Sequence, residues 1–391
     1  MTFLSRIDLD ELRRTLSDLR LDGWLLYDFH GLNPIAQHVV GVGGMGTRRL
    51  FVLLPAEGDP IALAHRIELQ PLEGFPGEIR PYAAWQELHA RLGELVGGKR
   101  VAMETFPEDG VPYLDRVPAG VIGLIERLGG TVVPSADLVT RFAARWSPQE
   151  LEDHRYAAEA LAEIARTTLA EVVREAGRAG EYAVQRRVLE RMERAGLVCD
   201  HPPIVGFGPN AANPHYEPIE GQDATLAAGQ VVLLDLWGGR SLETVFADQT
   251  WMGFAGASVP DDVQTVWTAT RDARDRAIAV LRERWAAKQP VTGADLDAAA
   301  RALITERGYG EYFVHRLGHS IDLELHGSGP HLDSFETDDT RELLPGIGFS
   351  IEPGIYLPGR FGTRSEVDVA LLPSGPEVTP ITPQTDLVLA P

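Results

Sequence analysis

Apolar residues change their spacing several times along the chain, and each change marks an element. In "DLDELRRTLSDL" they recur every three or four positions, which predicts a helix, whereas "DGWLLYDF" reads as a strand. "RRLFVLLPAEGDPIALAH" predicts two strands joined by a Gly-Pro turn, and "KRVAMET" and "GTVVPS" add two more, with helical segments between them. This alternation predicts a compact α/β domain over residues 1–142.

A new pattern begins at "RWSPQELEDHR". Ser147 is placed as a helix N-cap, Pro148 at the first helical position and Glu150 three residues after the cap. Ala157, Leu161, Ile164, Ala165 and Val172 then form one apolar helical stripe. A second helix is predicted over 181–195, followed by "CDHPPIVGFGPNAANPHYEP", a strand running into a Pro/Asn/Gly loop. "VVLLDLWGG" has the continuous apolar character of a buried strand. Val263, Val266, Trp267, Ala273 and Ala277 mark a helix starting near residue 260, and another is predicted over 293–307. The remainder is strand-rich. No fixed-period repeat interrupts this second predicted domain, residues 148–391.

Composition narrows the field. A chain of 391 residues is too long for one ordinary core, which agrees with two domains. Hydrophobic residues at 44% and charged ones at 24% are those of a soluble globular protein, and no apolar run approaches the ~18 residues of a membrane span. The opening "MTFLSRIDLDELRR" lacks the apolar core of a signal peptide, so the cytoplasm is the expected location. With Lys+Arg 36 against Asp+Glu 57, the net charge of −21 disfavours nucleic acid and anionic membranes as partners. The single cysteine, Cys199, is read as excluding an internal disulfide framework and any thiolate metal site.

The informative residues are charged ones set where strands should be apolar. Asp235 interrupts "VVLLDLWGG"; Asp248 does the same in "VFADQTWMGF", with Thr250 two residues later on the same face. Glu352 lies between Ile351 and a Pro-Gly turn in "GFSIEPGIYLPG", and in "TRSEVDVALL" Glu366 shares a face with Asp368. The stretch "HRLGHSIDLELHG" holds three of the chain's 11 histidines, His315, His319 and His326, and its alternation after His319 predicts a strand. The spacing is not that of a one-zinc His-Glu-x-x-His helix, because residue 316 is arginine. Each isolated carboxylate in an apolar strand costs several kcal/mol unless paired, neutralised or bound to a cation. Arg240, Arg316 and Arg364 are too few to balance four of them, whereas two divalent ions would. Mainly oxygen donors with one imidazole suit manganese, and also cobalt or zinc.

These residues stand in the order seen in pita-bread metallopeptidases: Asp235 with Asp248 in "ADQT", the His315-x-x-Gly-His319 element, "IEPGIY" and "TRSE". The chain resembles the proline-specific branch of that family, which includes Xaa-Pro dipeptidase (prolidase) and aminopeptidase P. The resemblance implies an α/β (α+β) protein: an N-terminal creatinase/prolidase-like domain followed by a catalytic domain with helices on a curved, mainly antiparallel sheet. It implies metal ligation by Asp235, Asp248, His319, Glu352 and Glu366, with Asp248 shared between two ions. Glu352 would also act as base toward the attacking water. His215, in the "IVGFGPNAANPHYEP" loop, His315 and His326 would orient the peptide and stabilise the reaction's intermediate, with Tyr356 and Arg364 as supports. The implied partners are small peptides with proline second, dipeptides ahead of longer ones, and a second copy of the chain in a homodimer.

Some positions depart from the family pattern. The aspartates are 13 positions apart, two more than usual, with the extra length in the Gly-containing "LWGGRSLETVF". Gly327 stands where an acidic residue is common and Phe246 where a tyrosine often does. Arg341 is the nearest candidate to grip a dipeptide's carboxylate. A metal-free creatinase-like hydrolase and a non-catalytic binding module on the same fold are the rival readings; both are disfavoured because all five ligand positions are intact.

Overall fold

The computed structural model describes residues 3–42 and 46–390. Contacts divide the chain into two compact units, Met1–Ala143 and Ala144–Pro391.

The first unit holds α1 (Leu9–Asp18), β1 (Gly23–Asp28), α2 (Pro34–Val40), β2 (Leu50–Pro55), β3 (Ile61–His65), β4 (Glu78–Tyr82), α3 (Trp85–Val96), β5 (Arg100–Met103), α4 (Ala119–Arg127), β6 (Thr131–Pro134) and a short α5 (Ala136–Leu138). Asp8 caps α1 through the amides of Asp10 and Glu11, and Asn33 caps α2. The six strands form one mixed sheet in the order β4-β3-β2-β1-β5-β6. Apolar clusters lie around Trp24, Leu26 and Val52 and around Leu25, Phe51 and Leu53, as the alternation of β1 and β2 requires. The strand over "EIRPY", β4, carries a proline and little apolar signal, and the sequence pattern did not reveal it.

The second unit opens with α6 (Pro148–Val172), whose capping box joins Ser147 and Glu150 in both directions. It continues with α7 (Glu181–Arg194), β7 (Ile204–Phe207), β8 (Val231–Gly238), β9 (Ala247–Phe254), α8 (Asp261–Ala286), α9 (Gly293–Glu306), β10 (Ser320–Ile321), β11 (Gly348–Ile351), β12 (Gly354–Leu357), β13 (Phe361–Arg364), β14 (Val367–Leu372), β15 (Gly375–Thr379) and β16 (Val388–Leu389). Two four-stranded sheets, β16-β9-β8-β7 and β10-β11-β14-β15, accompany the β12-β13 pair. All pairings but β16–β9 are antiparallel. One core packs α8 and α9 on β11 and β14 through Trp267, Leu281, Leu296, Phe349 and Val369; another packs α6 and α7 on β8 and β9.

The alternation after His319 does not become the strand that was expected. Only Ser320 and Ile321 pair, and residues 322–327 bend into a loop. The cause is Asp322, whose buried carboxylate accepts the amides of Glu324 at 2.9 Å and Ser328 at 2.8 Å, and so closes the chain on itself.

Candidate active site

In the β8–β9 ladder Asp235 pairs with Thr250 and Trp237 with Asp248, so both aspartates sit buried on adjacent strands. The extra residues between them form the connection over 239–246 and leave this register continuous. Glu352 follows β11, Glu366 precedes β14 and His319 precedes β10, all at strand ends. The β10–β11–β14 pairing brings those three ends together.

Asp248, His319 and Glu366 each offer a donor atom within 4.8 Å of the other two. His319 Nε2 stands 3.4 Å from Asp248 Oδ2 and 3.5 Å from Glu352 Oε1. Its Nδ1 faces the Ser320 carbonyl at 3.3 Å, which places the proton there and leaves the Nε2 lone pair pointing at two carboxylates. Thr250 Oγ1 lies 2.7 Å from Glu366 Oε2 and 3.1 Å from Asp235 Oδ1, and accepts Arg364 Nε at 2.8 Å. Arg364 also pairs directly with Asp235.

Four carboxylates thus gather against two buried arginines, Arg364 in direct contact and Arg316 acting on Glu352. Burial, and then the neighbouring carboxylates, push the Asp248 and Glu366 acids well above their usual range. Burial likewise raises Glu352 to about 8 and lowers His319 to about 3. Asp248, Glu352 and Glu366 therefore hold protons unless another positive charge takes their place. A neutral imidazole aimed at clustered hard oxygens is the donor set a divalent cation needs, so these residues fit metal ligation.

His315 and Tyr356 pair nearby. His315 Nδ1 donates to the Arg316 carbonyl at 2.7 Å, so its Nε2 accepts from Tyr356 Oη at 2.8 Å. Burial lowers this histidine to about 3 and keeps it neutral. The His326 ring lies 4.2 Å from that of His319, with His326 itself exposed. His215 is exposed on the loop after β7 and acts electrostatically on His326.

Arg341, the sequence candidate for a substrate carboxylate, is consumed elsewhere. It pairs with Asp339 through Nε at 2.9 Å and Nη2 at 2.7 Å, and donates to the carbonyls of Ser328 and Gly329, both at 2.7 Å. It is a staple of the loop behind His326. Asp368 was seen only as sharing Glu366's face; its Oδ2 accepts the Asp248 amide at 2.8 Å and braces β9. His154 on α6, near Asp368, gave no signal beyond its place in a helical stretch.

The sequence model of metallopeptidase family M24 matches residues 152–372, more than half of the chain. The chain belongs to metallopeptidase family M24. This M24 peptidase is 30% identical over 337 residues to a protein named probable dipeptidase PepE from Mycobacterium tuberculosis, covering 84% of this chain and 82% of that one. It is 35% identical over 176 residues to an Xaa-Pro dipeptidase of Lactobacillus delbrueckii subsp. lactis, covering 45% of this chain and 44% of that one. The crystal structure of dipeptidase PepE from Mycobacterium ulcerans superposes with a TM-score of 0.77 at 25% identity, covering 98% of this chain and 97% of that chain. The expected family and the two-domain α/β architecture are thereby met. The M24 peptidase is a metallopeptidase of a family that uses divalent metals, and among its described residues no helix is long and apolar enough to cross a membrane.

Proposed function

We propose that this M24 peptidase hydrolyses the bond between an N-terminal residue and proline in Xaa-Pro dipeptides, using two divalent ions, manganese first. The observation that carries the reading is the convergence of Asp248, His319 and Glu366 within 4.8 Å, with Glu352 and Asp235 against them. Asp235, Asp248, His319, Glu352 and Glu366 would hold the ions. When bound, the ions lower the pKa of water and polarise the scissile carbonyl.

The chain's own groups supply the rest. Glu352 takes the proton of the attacking water and returns it to the proline nitrogen as that nitrogen leaves. Arg364 and Thr250 hold Asp235 and Glu366 in place. His215 and His326, both exposed, present ring N–H groups toward the peptide and its developing oxyanion. His315, with Nδ1 on a carbonyl and Nε2 accepting from Tyr356, orients that tyrosine.

A second reading, an aminopeptidase acting on longer Xaa-Pro peptides, is favoured by one observation: Arg341 is not available to bind a free carboxylate. A panel of Xaa-Pro and Xaa-Pro-Yaa peptides with added Mn²⁺, Co²⁺ or Zn²⁺ tests both. Turnover of the longer peptides alone would overturn the dipeptidase reading. Retention of full activity by Glu352→Gln would remove Glu352 as the base. Sedimentation tests the homodimer that completes the proposal.

A further inference from the structure

The loop that carries His215 has two limbs. The first, residues 208–212, is a tight 3-10 turn wedged against β13: a Cβ on Gly362 would come within 2.1 Å of the Ala211 carbonyl oxygen. Because β13 ends in Arg364, which pairs with Asp235, this limb is built into the wall of the site. The second limb runs from Asn213 to Asp223. Within it, the Tyr216 amide bonds to Asn213 O at 3.2 Å and the His215 amide to Asn213 Oδ1 at 3.2 Å, both of them local turns. Among the described residues, the one hydrogen bond that ties residues 214–218 to the body of the unit is Tyr216 Oη to Glu181 Oε2, at 2.7 Å.

Glu181, at the start of α7, is completely buried and serves both limbs. Its Oε1 accepts the Phe207 amide at 2.6 Å and Asn210 Nδ2 at 3.0 Å, and its Oε2 accepts Tyr216 Oη and, at 2.8 Å, the Ala224 amide. Among the described residues no basic side chain takes part. A buried carboxyl group saturated by donors from two chain segments holds those segments at a defined separation, because moving either one leaves a buried oxygen without its donor.

We propose that Glu181 and Tyr216 form a latch that positions His215, and through it the grip on the substrate. The proposal rests on the reading of His215 as a substrate-side group. Glu181 and Tyr216 are positioning residues; the group that touches the peptide is His215, one residue before the latch.

The test uses the full-length, Mn²⁺-supplemented enzyme with Ala-Pro as substrate, comparing Tyr216→Phe, His215→Ala and the double variant. Tyr216→Phe keeps the ring that packs against the core and removes only the hydroxyl. Losing a hydrogen bond to a carboxylate of this kind corresponds to a roughly tenfold fall in kcat/KM, expected here as a rise in KM. In the His215→Ala background the same substitution should add nothing. An unchanged KM, or an equal loss in both backgrounds, would overturn the latch. Hydrogen exchange supplies the readout that needs no turnover: the amides of residues 215–217 should exchange at least several-fold faster in Tyr216→Phe, with α7 unaffected. Unchanged exchange there sinks the latch even if the wild-type enzyme ignores Xaa-Pro peptides, an outcome that by itself sinks only the functional reading. Glu181→Gln, which cannot accept on both sides, should reproduce the faster exchange.

Discussion

The first unit contains a buried acid whose titration should be visible in stability. Glu104, just after β5, is completely buried, and among the described residues no cation is paired with it. Its Oε1 accepts Trp24 Nε1 at 2.6 Å and Ser135 Oγ at 3.3 Å, and its Oε2 accepts Asn33 Nδ2 at 2.9 Å. Burial raises its pKa from 4.5 to about 7, the three donors offsetting only part of the cost. The folded-state value lies above the unfolded one, so the folded chain binds the extra proton between these limits. The contribution of Glu104 to stability is then greatest below about pH 4.5 and is lost as pH rises through about 7. At about 1.36 kcal/mol per unit, the difference between pH 4.5 and pH 8 is about 3 kcal/mol. Glu104→Gln removes this titration but carries a fixed penalty. Asn33 cannot turn over, since its Nδ2 also donates to Tyr27 O at 2.8 Å and its Oδ1 caps the Ala36 amide at 3.2 Å. The new amide must therefore face one donor with another, at a cost of about 1 kcal/mol. The variant should be the less stable protein at pH 4 and the more stable one at pH 8, read by urea unfolding at the two pH values. If the two stability curves run parallel, the carboxyl is not titrating as the burial argument requires.

Other consequences concern the candidate active site. Thr250→Val keeps the shape of the side chain but strips Glu366, Asp235 and Arg364 of their shared hydroxyl; Mn²⁺ affinity by titration calorimetry should fall roughly 10- to 100-fold, and an unchanged Kd would show that the hydroxyl does not organise the ligands. Gly327→Ala puts a Cβ 2.6 Å from the Asp322 carboxylate carbon and 2.9 Å from its amide nitrogen. Overpacking of this kind costs about 1–3 kcal/mol and should open the loop bearing His326, so both the urea midpoint and kcat/KM for Xaa-Pro substrates should drop; wild-type values would refute the clash. It also gives a reason for glycine at this position: Asp322 occupies the space a side chain would need.

Much of the architecture was legible because it depends on local pattern. The capping box at Ser147–Glu150, the strand pairs of "RRLFVLLPAEGDPIALAH" and the long helices announce themselves within one turn or one pleat of chain. Where the local pattern was weak or had a competitor, it misled. Strand β4 has an exposed start and a proline, and the alternation of residues 321–326 lost to an Asp322 carboxylate that could reach three groups only two to six positions away. The wrong expectation at Arg341 has the same origin. Nothing in "DDTREL" shows that its guanidinium will meet two carbonyls twelve and thirteen residues upstream.

By itself the sequence determined the kind of chemistry: acidic side chains in apolar strands, with a short histidine-rich stretch, demand added positive charge whatever their arrangement. Only the tertiary structure decided which of them share one space and what holds them there. Thr250 meets Glu366 across 116 positions, Arg364 meets Asp235 across 129, and Glu181 gathers donors from 26 to 43 residues away. Desolvation is the physical reason for the division. The cost of burying a charge is set by residue type and can be read from a string of letters, but the partner that offsets it is whichever group the folded backbone brings within about 3 Å.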